Sequence, residues 1–381
     1  MKKLLSICII LTLLLSFNWQ VLSAEFVSST NSKSLLLMEA SSGKILYEKN
    51  SHQSLPPASV TKIMTMLLIC EAIDNKEVSL DTKITASERA KSMGGSTIFL
   101  ETNEVMSLDD LLKGIAVASA NDACVAVAEH LSGSVETFVQ KMNSRAKELG
   151  MKETNFVNCN GLDDENHHSS AYDIAIMSRE LLKHKIIEKY TTIWMDSLRD
   201  GKFQLANTNK LIRFYSGANG LKTGSTSKAG CCISATAKRD GMQLIAVVMG
   251  ADNSKERFKA ASELLDYGFN NYAVTNFGKK GSEVCKVSVL HGKSEHISAI
   301  TQSETTVVVN KQSKNEIKTH INIIDTIKAP IKKGDVIGEV ILTLNGETLV
   351  KSNLIADRNI KKMGTTDYFI KLIKGLLGAN I

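Results

Sequence analysis

The chain has 381 residues, room for two domains after any leader, with 43% hydrophobic and 23% charged residues. Its 46 Lys and Arg against 40 Asp and Glu give a net charge of +6, too mild and too evenly spread for a nucleic-acid partner. Seven cysteines show neither the short paired spacings of a zinc site nor a clear disulfide framework, so most read as small buried apolar residues.

Met1 to Ala24 carries Lys2 and Lys3, an apolar stretch from Leu4 to Leu15, and small residues at Ser23 and Ala24. That order of features predicts a secretory signal peptide over 1–24, with an uncleaved anchor as the alternative. Export from the cytoplasm is therefore expected.

A first domain, 25–275, mixes helices and strands and predicts an α+β fold. Strands are expected at Ser34 to Glu39 and Lys44 to Tyr47, joined by a turn through Ser42-Gly43. A helix from Ser59 runs on through Met66, Leu67, Ile69, Cys70 and Ile73, and another carries Phe138, Val139, Met142, Ala146 and Leu149 before Gly150. Gly230 to Ala237 and Met242 to Met249 flank Asp240-Gly241, a hairpin signal. A further helix spans about Ser254 to Tyr267.

From Phe277 the pattern becomes short strands: Val284 to Val289, Thr305 to Val309, Ile317 to Ile324, Val336 to Leu344 and Thr348 to Val350, the last two joined by Asn345-Gly346. This predicts a small β-sandwich over 276–360 with no catalytic spacing. In the tail, 361–381, Phe369, Ile370, Leu372, Ile373, Leu376 and Leu377 form one apolar face interrupted by Lys371 and Lys374. It reads as an interfacial helix on a membrane surface, with a helix packed on its own protein as the alternative.

Three short motifs carry chemistry. Ser59-Val60-Thr61-Lys62 places a hydroxyl and an amine on one face of a helix start, one turn apart. The lysine can act as a base only if neutral, which burial and a nearby like charge would bring about, and Lys222 could be that charge. Ser119-Ala120-Asn121 falls at a helix-to-helix turn, where Ser119 could relay a proton and Asn121 could hold a substrate amide. Lys222-Thr223-Gly224 lies beside the Gly230 strand and offers a cation and a hydroxyl to a carboxylate, with Gly224 admitting the substrate backbone. Each motif alone is weak; their order and their helix, loop and strand contexts make the trio specific. No metal or cofactor is called for, and His167-His168 reads as part of a loop near the site.

The chain resembles the serine D-Ala-D-Ala carboxypeptidases, the low-molecular-mass penicillin-binding proteins. Beyond the trio, the likeness rests on Gly94-Gly95-Ser96, Ser119-Ala120-Asn121-Asp122-Ala123, Met142-Asn143, Gly161-Leu162, His168-Ser169-Ser170-Ala171-Tyr172-Asp173, Asn207-Thr208-Asn209 and Gly220-Leu221-Lys222-Thr223-Gly224-Ser225-Thr226. The resemblance implies a transpeptidase-like catalytic domain (an antiparallel sheet with packed helices and a helical subdomain), a trailing β domain and an amphipathic C-terminal anchor. It implies Ser59 as nucleophile, Lys62 as its base, and Ser119 with Asn121 as the second motif. Lys222 and Thr223 would bind the terminal carboxylate, and the N–H groups of Ser59 and Ser225 would form an oxyanion hole. The implied partners are a peptidoglycan stem peptide ending in D-Ala-D-Ala and β-lactam antibiotics. The chain departs from the family pattern at Asn219, where Asp is usual, and at Asn160, where His is common. The rival readings are a class A β-lactamase using Asp163, Asp164 or Glu165 for deacylation, a D,D-endopeptidase or transpeptidase, and a non-catalytic penicillin-binding sensor.

Overall fold

The computed structural model describes residues 26–376, so the expected signal peptide and the last residues of the tail, Leu377 included, lie outside the described residues. Five antiparallel strands form the frame of the first domain: β1 (Ser34–Glu39), β2 (Ile45–Lys49), β3 (Ala218–Thr226), β4 (Gly230–Arg239) and β5 (Met242–Ala251), in the order β2-β1-β5-β4-β3. The apolar run of β5 is explained by its central place, since strand side chains alternate between faces. Ile245, Val247 and Met249 join one core cluster, while Leu244, Ala246 and Val248 join another on the opposite face. The Asp240-Gly241 hairpin forms as expected, both residues at positive φ.

A short 3-10 turn, Ala58–Thr61, leads into helix α1 (Lys62–Asp74). Nine of its 13 residues are buried, so α1 is a central helix enclosed on nearly all sides. Around it pack α2 (Asn121–Ser132), α3 (Val135–Glu148) and α4 (Ala171–Leu181). The other face of the sheet is covered by α5 (Ser254–Asn271), four residues longer than the sequence pattern indicates.

The second domain contains the expected strands together with three that the pattern did not reveal: Tyr272–Asn276, His296–Thr301 and Thr326–Lys328. The first of these ends just before the change of pattern near Phe277, yet pairs with Thr306–Asn310 of the second domain. Thr348 to Val350 proves to be the start of a ten-residue strand, Glu347–Ala356. Its partner Val336–Leu344 is joined to it through Asn345 and Gly346, both at positive φ. A last helix, α6 (Thr365–Leu376), touches this domain through polar contacts: Lys371 pairs with Glu295 at 2.6 Å and Lys293 with Asp367 at 3.0 Å. Phe369, Ile370 and Leu372 stay exposed.

Candidate active site

Lys62 is the first residue of α1 and is completely buried. Its Nζ lies 2.9 Å from Ser59 Oγ, 2.7 Å from Asn121 Oδ1 and 2.6 Å from the Asn160 carbonyl oxygen. Burial holds its pKa below the ordinary lysine value, against weaker upward pulls from Cys124, Cys159 and Asp122. A neutral amine has two N–H bonds and one lone pair. With its two N–H bonds taken by the two carbonyl oxygens, a neutral Lys62 would have its lone pair left for the Ser59 hydroxyl.

Asn121 makes two hydrogen bonds inside the chain, which leaves one Nδ2 hydrogen and one Oδ1 lone pair for a further partner. Its Oδ1 accepts from Lys62 and its Nδ2 donates to Gly94 O at 2.7 Å, so both polar ends are engaged inside the chain. Ser119 occupies a left-handed turn at φ 65° after a π-helical turn, Gly114–Ala118, and makes no hydrogen bond to another described side chain. The carboxylate of Asp122 receives the N–H groups of Ile98 and Leu100, which fastens the 94–100 loop to the start of α2.

Lys222 is also buried, on edge strand β3, and donates to the Thr223 carbonyl at 2.9 Å. Burial is the main cause that pushes its pKa well down, and the charge of Lys62 adds to it. Burial likewise leads for Lys62, the first of the two causes expected from the sequence. Repulsion between two ammonium groups is mutual, so a proton on one weakens the hold of the other on its own. Thr223 Oγ1 donates to Thr208 Oγ1 at 2.7 Å.

Gly224 makes room for protein: a Cβ there would lie 2.7 Å from Ser59 N and 2.9 Å from Pro57 O. Its missing side chain lets β3 close on the serine turn. Ser225, next along, is exposed.

Several groups at the site escaped the motif reading. Arg257 of α5 is buried and donates to Gly224 O at 3.0 Å and Cys232 O at 3.4 Å, which ties the sheet edge to the helix behind it. A signal existed, because Arg257 stands three and four residues before Ala260 and Ala261 on the buried stripe of α5. Asn160 acts on Lys62 through its backbone carbonyl, so the histidine common at that position is not needed for this contact. Asn219, in place of the usual aspartate, accepts from Thr236 at 2.8 Å and from Gln243 at 3.2 Å. Among the described residues, no group of three or more His, Cys, Asp or Glu is placed to hold a metal ion.

Residues 21–253 match the family profile described as D-alanyl-D-alanine carboxypeptidase. The chain belongs to that family. Residues 272–362 of the carboxypeptidase match the C-terminal domain of penicillin-binding protein 5. It is 46% identical to the D-alanyl-D-alanine carboxypeptidase DacF of Bacillus subtilis (strain 168), over 99% of this chain and 98% of that one. The solved penicillin-binding protein 5 of Haemophilus influenzae superposes with a TM-score of 0.78 at 31% identity, covering 89% of this chain and all of that one. Penicillin-binding protein D2 of Listeria monocytogenes, solved in an ampicillin-bound form, has a TM-score of 0.58 at 32% identity over 62% of this chain and 97% of that one. The carboxypeptidase is thus a serine-type hydrolase, and the β-lactamase, endopeptidase, transpeptidase and sensor readings are not favoured.

Proposed function

We propose that Ser59 removes the terminal D-alanine from a peptidoglycan stem peptide ending in D-Ala-D-Ala. Lys62 takes the hydroxyl proton as Ser59 Oγ bonds to the carbonyl carbon of the penultimate D-alanine. The C–N bond then breaks, and the departing amine receives a proton relayed through Ser119. Water, losing a proton to Lys62, splits the ester and restores Ser59. Lys222 and Thr223 hold the substrate carboxylate, which stabilises the proton on Lys222 and leaves Lys62 neutral. Asn121 positions Lys62, and the N–H groups of Ser59 and Ser225 face the oxyanion.

The observation that carries this reading is the Lys62 amine, buried between two carbonyl oxygens with its remaining valence 2.9 Å from Ser59 Oγ. A β-lactam meets the same groups: Ser59 opens the ring, and the leaving nitrogen stays tethered to the adduct. Incubating the protein and Ser59→Ala with a D-Ala-D-Ala pentapeptide tests the assignment. Free D-alanine from the wild type alone is the expected result, and release by the variant would refute it.

The enzyme acts outside the cytoplasm, and α6 rests on the membrane surface. Support comes from its exposed apolar residues Phe369, Ile370 and Leu372, and from Lys361 and Lys362 just before it, which suit anionic head groups. No helix among the described residues is long and apolar enough to cross a membrane.

A further inference from the structure

Ala58 and Ser59 share one peptide unit, and its carbonyl end is held by a chain of hydrogen bonds. Thr61 Oγ1 donates to Ala58 O at 2.8 Å and lies 2.7 Å from Nε2 of His167, a histidine 2% exposed. The Val157 N–H donates to His167 Nδ1 at 3.1 Å. Nδ1 is therefore an acceptor, and the single ring proton of the neutral imidazole sits on Nε2. All donors then run in one direction: Val157 to His167, His167 to Thr61, Thr61 to the Ala58 carbonyl.

A threonine hydroxyl that bonds back three residues is common in helices. Less common is what stands at either end of this one. Ala58 is held at φ 49°, a left-handed conformation that costs a residue with a Cβ. Gly161 presses on the same carbonyl, since a Cβ there would lie 1.9 Å from Ala58 O. In a trans peptide the N–H points opposite to its carbonyl, so fixing Ala58 O fixes the direction of the Ser59 N–H. Among the described residues that N–H has no acceptor. Aligned hydrogen bonds also polarise one another, which makes the last N–H a better donor.

We propose that His167 is a positioning residue: through Thr61 it locks the 58–59 peptide unit so that the Ser59 N–H is presented to the developing oxyanion. The inference rests on the reading of Ser59 as nucleophile, and it extends the site to a side chain that touches no substrate.

Acylation by a fluorescent penicillin tests it in wild type, His167→Ala, His167→Gln and Thr61→Val. Each rate is divided by the final amount of label, and melting temperature is read on the same samples. His167→Ala and Thr61→Val are expected to slow acylation per labelled site by about tenfold or more, a fraction of what loss of a whole oxyanion donor costs. KM for the pentapeptide should move far less than kcat. His167→Gln, which keeps an N–H donor, is expected to restore most of the rate. Wild-type rates per labelled site in both disruptive variants, with only melting lowered, would make His167 a packing residue and overturn the proposal. Thr61→Val nearly conserves volume, so it decides the matter even where His167→Ala does not fold. Mass spectrometry of the wild-type adduct separates the underlying reading: label away from Ser59 would sink that reading itself.

Discussion

The two domains bury polar groups of different kinds. In the first, Lys62, Asp122, His167, Lys222 and Arg257 are all nearly inaccessible, and four of them have hydrogen-bond partners within a few residues of Ser59 or on the strand beside it. In the second, the buried polar residues are the hydroxyls Ser298, Thr301, Thr305 and Ser352. Burying an ionisable group is costly unless it is partnered or loses its charge. The first domain carries that cost where chemistry needs a neutral amine, and the second has no such concentration.

The sharpest way to break this contrast is through glycines of the two domains. Gly161 and Gly346 have nearly the same positive φ, 87° and 86°. A Cβ on Gly161 collides with the Ala58 carbonyl, whereas one on Gly346 meets nothing within 4 Å. Gly161→Ala is expected to cost about 4 kcal/mol, overpacking added to a left-handed strain, and to abolish acylation. Gly346→Ala should cost about 1 kcal/mol and leave acylation intact. Urea midpoints and penicillin labelling check both, and equal losses would erase the distinction.

Next in size is the pH response of the first domain. Burial pushes His167 down to about 4 from an ordinary 6.5. The unfolded chain therefore binds that proton first. Stability is complete above about pH 6.5 and declines as pH falls towards 4, by up to ~3 kcal/mol for this group. Asp173 works the other way, since burial raises its carboxyl to about 6 and the folded form gains a proton as pH drops through that value. Comparing His167→Gln with wild type isolates the histidine: the variant should lose less stability between pH 7 and pH 4.5. Parallel curves would contradict the assignment.

The smallest effect on chemistry is expected at the far end. Leu372→Asp on the exposed face of α6 should leave soluble acylation unchanged while reducing co-sedimentation with anionic vesicles several-fold. Unaltered vesicle binding would count against α6 as the contact.

Much of the framework was legible in the residues. Runs of apolar and β-branched residues located β1 and β5, helical spacing located α1 and α3, and the turn pairs Asp240-Gly241 and Asn345-Gly346 located their hairpins. His296–Thr301 was missed because its small and polar residues alternate weakly, and its identity as a strand comes from pairing with Glu283–Leu290 on one side and Glu347–Ala356 on the other. The trio Ser59, Ser119 and Lys222 was likewise readable, since each stands in a short motif with its neighbours.

By itself the sequence determined the reactive groups, their order and the family they resemble, because chemical identity and local spacing are properties of the chain. Tertiary structure decided their tasks. Asn121 became a holder of Lys62 and Gly224 a point of approach between strand and turn, while His167 and Arg257 entered the site from segments far away in sequence. The reason is physical: a lysine becomes a base through burial and partner geometry, and both arise from contacts between residues that no local pattern brings together.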